Sequence, residues 1–342
     1  MGSLSIAMIV KNEAAHLPEC LAGLSGFADE ICVVDTGSSD ESLAIAARSG
    51  CRVAEFAWCD DFAAARNASI DLCRSDWVFV LDADERIARE DVPRIRALAG
   101  PELTRAYRFV THNYTNAEHL SEYTPCAAGD PWSRGFAGWY PSIKVRLFPR
   151  RSGARFEGKV HELVNASLTA RGIELLNAEA PIHHYPLMKS EEQIRQKQAM
   201  YIRLGLEKRR AFPNDARLAA ELGHQYADIG DYRNALVAYH DAAKLEPDNP
   251  VWLKDLGGVL HLLGRSEEAA SALGLALKLD PGLTEAWRNL GVVHAHGGRW
   301  AQALACFERY AALAPDAADA GRCLALAREQ VPDQESEVVQ DG

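Results

Sequence analysis

No apolar stretch in the sequence approaches the ~20 residues that cross a bilayer. The longest runs, ICVV at 31–34 and WVFVL at 77–81, have the length of strands. The first residues, MGSLSIAMIVKNE, carry no basic region ahead of their apolar stretch, so they do not read as an export signal. Ile6 stands where N-myristoylation requires Ser or Thr. The expectation is a soluble, cytoplasmic protein. C-x-x-C pairs are also missing. The eight cysteines, at 20, 32, 51, 59, 73, 126, 306 and 323, are therefore expected to be small buried thiols and not zinc ligands or disulfides. There is no G-x-G-x-x-G and no G-x-x-x-x-G-K, which argues against a dinucleotide-binding dehydrogenase and a P-loop enzyme. Positive charge is in deficit. A formal net charge of −11 gives no attraction to a phosphate backbone, so nucleic acid is excluded as a partner, while one local basic pocket for a diphosphate is not.

What is present is ordinary globular composition, 48% hydrophobic and 25% charged, on a chain whose 342 residues exceed one core. Two halves are distinct. In the second, five columns recur at a spacing of 34 residues: Leu222, Leu256 and Leu290; Gly223, Gly257 and Gly291; Gly230, Gly264 and Gly298; Ala235, Ala269 and Ala303; Pro247, Pro281 and Pro315. A large residue follows the Ala column at Tyr239, Leu273 and Phe307. This pattern resembles the tetratricopeptide repeat. Each unit reads as a helix, a turn at the second Gly, a second helix, and a Pro that stops it. The first Gly column lets the paired helices approach closely. One repeat cannot bury its own apolar face, so neighbours must stack. The expected order is a catalytic domain over 1–188, a linking helix over 189–212, three repeats with a capping helix over 213–331, and a disordered acidic tail over 332–342.

The first half alternates strand and helix. Residues 5–10, 30–35, 51–56 and 76–82 read as apolar strands, with helices at 13–25, 40–49 and 61–74 between them. Strands apolar on both faces imply a mostly parallel α/β sheet with helices on each side. Two further strands, AYRFVTHNY and SIKVRLFPR, imply a mixed extension, and 113–141 reads as a long functional loop. Ligands of such sheets bind at the carboxyl ends of the strands. Those ends carry Lys11, Asn12 and Glu13, then Asp35 to Asp40, then Asp82 to Glu85. Asp82 and Asp84, two apart, point to one side if the chain is extended, and hard oxygen ligands of that kind suit Mg²⁺ or Mn²⁺ completed by substrate phosphates. Asp40 suits a helix cap. Asp35 ends its strand, is poorly placed to cap, and suits a base or ribose contact.

Four segments, SIAMIVKNEAAHLPECLAGL, ADEICVVDTGSSDES, WCDDFAAARNASI and DWVFVLDADE, resemble the successive motifs of glycosyltransferase family 2, which has the GT-A fold. With repeats behind it, the chain resembles a bacterial subgroup that includes peptide S-glycosyltransferases. The resemblance implies that Glu13 and Asp35 hold the nucleobase and ribose, with Lys11 and Asn12 beside them. It implies that Arg66 and Asn67 face the diphosphate-sugar, and that Asp82 and Asp84 bind the metal. Thr36 departs from the second Asp that many members carry there. The second half of such a domain supplies an acidic base and a late metal-ligating His. FEGKVHELV offers Glu162, then Glu157, as the base of an inverting reaction; PIHHYP offers His184, with His183 beside it. Trp132, Trp139 and Tyr140 are candidates for acceptor contact. The implied function is metal-dependent sugar transfer from a nucleotide-diphosphate donor to a peptide, protein or glycan, with the repeats holding the acceptor or a protein partner. The competing readings are a repeat scaffold with an inactive transferase-like domain, and a nucleotidyltransferase, which KNEAAH fits poorly because it is not Gly-rich.

Overall fold

The computed structural model describes residues 2–117, 123–185, 191–315, 317 and 319–331. The expected tail at 332–342 lies outside them, as do residues 189 and 190 of the expected linking helix. The chain divides into two compact units between Glu191 and Glu192.

The first unit is a ten-stranded sheet in the order β3-β2-β1-β4-β8-β6-β10-β5, with β7 beside β8 and β9 beside β6. The strands are β1 Leu4–Val10, β2 Glu30–Asp35, β3 Arg52–Glu55, β4 Trp77–Val80, β5 Glu85–Arg86, β6 Arg105–Thr115, β7 Thr124–Pro125, β8 Gly138–Pro149, β9 Glu174–Asn177 and β10 Ile182–His184. The helices are α1 Leu17–Gly23, α2 Ser42–Arg48, α3 Phe62–Leu72, α4 Val92–Leu98 and α5 Asn165–Thr169. The four strands β3-β2-β1-β4 are parallel, and β8 joins antiparallel to both β4 and β6.

Alternation explains why the parallel strands are apolar throughout. In β4, Trp77 and Phe79 enter one core with Leu17, Leu21 and Ile95 from the helices. Val78 and Val80 enter a second core, on the opposite face, with Ile70 and Leu168. β4 is thus covered on both faces, whereas the edge strand β3 has no fully buried residue. Strand order reverses between β1 and β4, and a sheet of this kind opens its ligand crevice at that reversal. The residues after Val10 and after Val80 flank it. The long loop is shorter than its composition suggests. β6 continues to Thr115 and β8 begins at Gly138, leaving 116–137 between them.

The second unit contains α6 Glu191–Ala211, α7 Ala216–Asp228, α8 Tyr232–Leu245, α9 Pro250–Leu262, α10 Ser266–Leu279, α11 Thr284–His296, α12 Trp300–Leu313 and α13 Ala320–Gln330. Asp215, Asp231 and Asn249 cap α7, α8 and α9 through their side chains. Both glycine columns are steric necessities. Gly230, Gly264 and Gly298 have φ of +75°, +75° and +69°, the left-handed turn between paired helices. A Cβ at Gly223, Gly257 or Gly291 would come within 2.7, 2.6 or 2.4 Å of Tyr239, Leu273 or Phe307. The helix expected as a linker packs as part of this unit, since a Cβ on its Gly205 would meet Leu222 and Gln225 of α7.

These contacts predict opposite outcomes for two Gly→Ala substitutions in neighbouring helices. Gly257→Ala gains helix propensity but drives a methyl into Leu273, a net destabilisation of about 1–3 kcal/mol. Gly274→Ala in α10 meets nothing within 4 Å, so it should stabilise by roughly 0.5–1 kcal/mol. Thermal or urea melts of the two variants check the pair; equal effects would remove the close-approach explanation.

Candidate active site

The loops after β1 and β2 are knitted together by their own polar side chains. Asn12, at φ +56°, accepts through Oδ1 from Ser39 N at 2.8 Å, and its own N–H donates to Ser38 Oγ at 2.9 Å. Asp40 accepts from Ser42 N at 2.9 Å and Ser42 Oγ at 2.6 Å at the entry to α2, and from Ala14 N at 3.0 Å. It therefore joins two loops as well as serving the helix. Glu13 is buried, its N–H donating to Ser42 Oγ at 2.7 Å, while Lys11 is exposed. Asp35 corrects the expectation that it caps nothing. Its Oδ1 accepts from Gly37 N and Ser38 N, both at 2.8 Å, across a turn that Gly37 makes with φ +98°. Its Oδ2 is buried with no hydrogen-bond partner. A buried lone carboxylate oxygen is costly unless a ligand hydroxyl or amine reaches it.

After β4, residues 82–85 form a turn, closed by Glu85 N donating to Asp82 O at 3.0 Å. This also corrects an expectation: the chain there is not extended, so Asp82 and Asp84 diverge to different partners. Asp82 Oδ1 is 2.7 Å from Arg66 Nη1. Arg66 Nε is 3.1 Å from Glu162 Oε1, so one buried guanidinium from α3 bridges two carboxylates. Burial opposes charge on both members of the Asp82–Arg66 pair. The mutual attraction outweighs it, lowering the Asp82 pKa and raising that of Arg66.

Asp84 turns the other way. Its Oδ2 is 3.6 Å from His184 Nε2. The imidazole is oriented from behind. Asn113 donates its amide hydrogens toward Tyr140 O and Ser142 Oγ, both at 3.0 Å, so its Oδ1 is the acceptor that meets His184 Nδ1 at 2.7 Å. In the neutral tautomer whose Nδ1 donates to Asn113 Oδ1, the ring turns its Nε2 lone pair toward the Asp84 carboxylate. Two acceptors facing each other at 3.6 Å fit a cation, and an oriented imidazole of this kind is what a metal-ligating histidine needs. Asp84 and His184 fit a divalent metal. Asp82 faces Arg66 instead, and among the described residues no three such groups converge as a ready cluster.

Glu157 and Glu162 lie on either side of a tight loop closed by the Glu157–Leu163 backbone pair. The loop contains Gly158 at φ +97° and His161 at φ +54°. Glu162 points to Arg66, while the Glu157 side chain is exposed. Asn67 departs from its expected place toward a donor. Its Nδ2 donates to Phe156 O at 3.0 Å and its Oδ1 accepts from Phe156 N at 2.9 Å. Both ends of the amide are engaged, which makes Asn67 the tether that brings the Glu157–Glu162 loop to α3.

His183, one residue before His184 in β10, points to the opposite face. It stacks on Trp132 at 4.1 Å, and Trp139 stacks on His112 at 3.7 Å. Tyr114 Oη lies 2.9 Å from His183 Nδ1. Burial, with His112 beside it, lowers the His183 pKa to about 4, so the ring is neutral near pH 7. Trp132 and Trp139 therefore belong to one aromatic cluster. Tyr140, next along β8, is half-buried beside Asn113.

Sequence reasoning passed over Asn113, Lys144 and Arg146. The last two had a signal: SIKVRLFPR alternates two cations into an apolar strand, which marks a strand face that is not core. Arg146 binds Glu85 in a fully buried pair. Lys144, on the same face of β8, reaches solvent but is crowded by the site, so partial desolvation and then the Arg146 guanidinium lower its pKa, with Glu85 and Asp82 acting in the opposite sense.

A sheet of this order, with an acidic and basic cluster at its reversal point and stacked helix pairs following, defines a GT-A-type α/β unit joined to a helical repeat unit. Residues 5–107 match the glycosyl transferase family 2 profile, and residues 220–284 and 265–328 match tetratricopeptide repeat profiles. The chain carries a glycosyl transferase family 2 domain in its N-terminal part, with tetratricopeptide repeats behind it. A TPR repeat-containing protein of Synechococcus elongatus is 35% identical over 242 residues, which cover 69% of this chain and 55% of the relative. The SPbeta prophage-derived glycosyltransferase SunS of Bacillus subtilis is 26% identical over 276 residues, 79% of this chain and 52% of the relative. The chain thus spans about half the length of these curated relatives. A crystal structure of MamA protein overlaps 41% of this chain and 76% of its own, at 23% identity and a TM-score of 0.38. Among the described residues no helix is long and apolar enough to cross a membrane.

Proposed function

We propose that this chain transfers a sugar, with inversion, from a nucleotide-diphosphate donor to a peptide, protein or glycan acceptor. The observation that carries the reading is the Arg66 bridge between Asp82 at 2.7 Å and Glu162 at 3.1 Å, beside the Asp84–His184 pair at the sheet's reversal point. Transfer of this kind needs four things in one place: a metal site, a cationic side chain for phosphate, a carboxylate base and an anchor for the nucleoside. Asp84 and His184 would hold Mg²⁺ or Mn²⁺, with Asp82 adding its Oδ2 while its Oδ1 stays on Arg66. The metal, when bound, neutralises charge growing on the departing diphosphate. Arg66 and Lys144 bind the phosphate oxygens. Asp35, through its uncommitted Oδ2, and Glu13 receive the ribose and base. Glu162 takes the proton of the acceptor nucleophile as the new bond forms. The cluster of Trp132 on His183 and Trp139 on His112, two stacked pairs meeting edge to face, offers its two indoles to an acceptor. The repeats hold a peptide acceptor or a protein partner along their stacked helices. We assign the reaction to the cytoplasm, where eight free thiols stay reduced.

A screen of nucleotide sugars by thermal melting, with and without Mn²⁺, tests the reading. Ligands that bind the folded state raise its melting temperature by mass action. One donor should stand out, only when Mn²⁺ is present, and should be turned over. If no nucleotide sugar shifts the melt or is consumed, the assignment fails. Lys144 supplies a narrower check. Lys144→Ala should weaken donor binding roughly 10–100-fold, the scale of a hydrogen bond to a charged group, and the loss should shrink as salt is raised. An unchanged donor affinity would remove Lys144 from the diphosphate subsite.

A further inference from the structure

The sequence DADE presents three carboxylates in four residues, and only two of them face outward to the site. The third, Glu85, is turned into the protein, with its side chain 1% exposed, against Arg146, 2% exposed. The pair is bidentate. Arg146 Nη1 donates to Oε2 at 2.6 Å and Nη2 to Oε1 at 2.5 Å. Nη2 also reaches Thr111 Oγ1 at 3.2 Å, and Nη1 reaches Val80 O at 3.4 Å. The same Glu85 Oε2 accepts the Asp82 N–H at 2.9 Å. Through its backbone, Glu85 pairs with His184 across β5 and β10, and Tyr185 N donates to Asp84 O at 3.1 Å one step along.

We propose that Glu85, clamped by Arg146, is the positioning residue for the metal site, holding Asp82, Asp84 and His184 in one frame without itself binding the cation. The inference rests on the reading of these three as metal ligands. Its physical basis is that each is fixed relative to Glu85 by a different bond: Asp82 by its N–H to the Glu85 carboxylate, Asp84 by chain adjacency, His184 by strand register. Arg146 neutralises Glu85, so the buried carboxylate neither competes for the cation nor repels the two outward ones as a bare charge. A bidentate guanidinium also fixes the plane of the carboxylate, which a single ammonium does not. Arg146 and Thr111 lie on β8 and β6, so the turn after β4 takes its shape from two strands that are its neighbours only in the folded sheet.

A mere core ion pair and a positioning device differ in what is restored when the charges are removed together. Glu85→Gln alone leaves Arg146 buried without its counter-ion and should lower the melting temperature as well as Mn²⁺ affinity. Glu85→Gln combined with Arg146→Met removes both charges of the pair, so the melt should recover much of the loss. Mn²⁺ titration of the full chain by calorimetry or by the free-ion electron paramagnetic resonance signal then decides. We expect the double variant to bind Mn²⁺ roughly 10–100-fold more weakly than the unaltered chain, as loss of outer-shell support does at other metal sites. Thr111→Val, which removes one Arg146 contact and keeps the pair, should lose less affinity than that. If the double variant binds Mn²⁺ as the unaltered chain does, Glu85 and Arg146 are structural only and the inference falls. If the unaltered chain itself binds no Mn²⁺, with or without a nucleoside diphosphate, the metal reading fails before this one is reached, and this one falls with it.

Discussion

Asp84→Ala is expected to lower turnover by roughly 10³-fold or more, several kcal/mol of leaving-group stabilisation at about 1.4 kcal/mol per tenfold. The carboxylate sits on the far side of the 82–85 turn from Arg66 and faces the imidazole side of the site, with His184 Nε2 at 3.6 Å. Removing it should cut Mn²⁺ affinity while leaving the Arg66 bridge to Asp82 and Glu162 in place. Asn113→Ala acts one step further out. It removes the acceptor of the His184 Nδ1 proton at 2.7 Å, and should weaken Mn²⁺ binding about 10–100-fold. Initial rates against Mn²⁺ concentration, read beside calorimetric titrations, check both. Near-normal turnover of Asp84→Ala, or full activity in excess EDTA, would sink the metal role.

Glu162→Gln is the second large effect. A positioned general base contributes roughly 10²–10⁴-fold, and the amide keeps the shape while losing the ability to accept a proton. The ion pair with Arg66 sharpens this expectation. Losing one of two carboxylates frees part of the Arg66 charge for phosphate, so donor affinity should hold or rise while turnover falls. Glu157→Gln is the control, since that side chain is exposed and its backbone, not its carboxylate, closes the loop. A collapse of donor affinity in Glu162→Gln would make Glu162 a donor-positioning group, and an effect confined to Glu157→Gln would move the base there.

From its residues alone, the chain already specified its two units. Apolar strands at 5–10, 30–35, 51–56 and 76–82 fall on β1 to β4; the long buried runs of β1, β2 and β4 follow from burial on both faces of a parallel sheet, while β3 is the half-buried edge. The 34-residue columns fall on helix pairs. Their glycines were legible because each meets a local steric demand, a positive φ at Gly230, Gly264 and Gly298 and a missing Cβ at Gly223, Gly257 and Gly291. Polar residues at strand ends told where a ligand binds, since that follows from topology. Which partner each polar residue takes was another matter. Spacing put Asp82 and Asp84 on one side of an extended chain, but a turn sends one to Arg66 and the other to His184. Glu162 meets an arginine 96 residues earlier in the chain, brought there by the Asn67 tether to Phe156. His183 and His184 are adjacent in sequence and belong to opposite faces, one in an aromatic cluster and one in the site. Local sequence determines what a short-range constraint can enforce, namely burial period, turn chirality and helix stops. The pairing of charges across β4, β6, β8 and β10 depends on sheet register, which no neighbouring residue encodes, and only the folded sheet decides it.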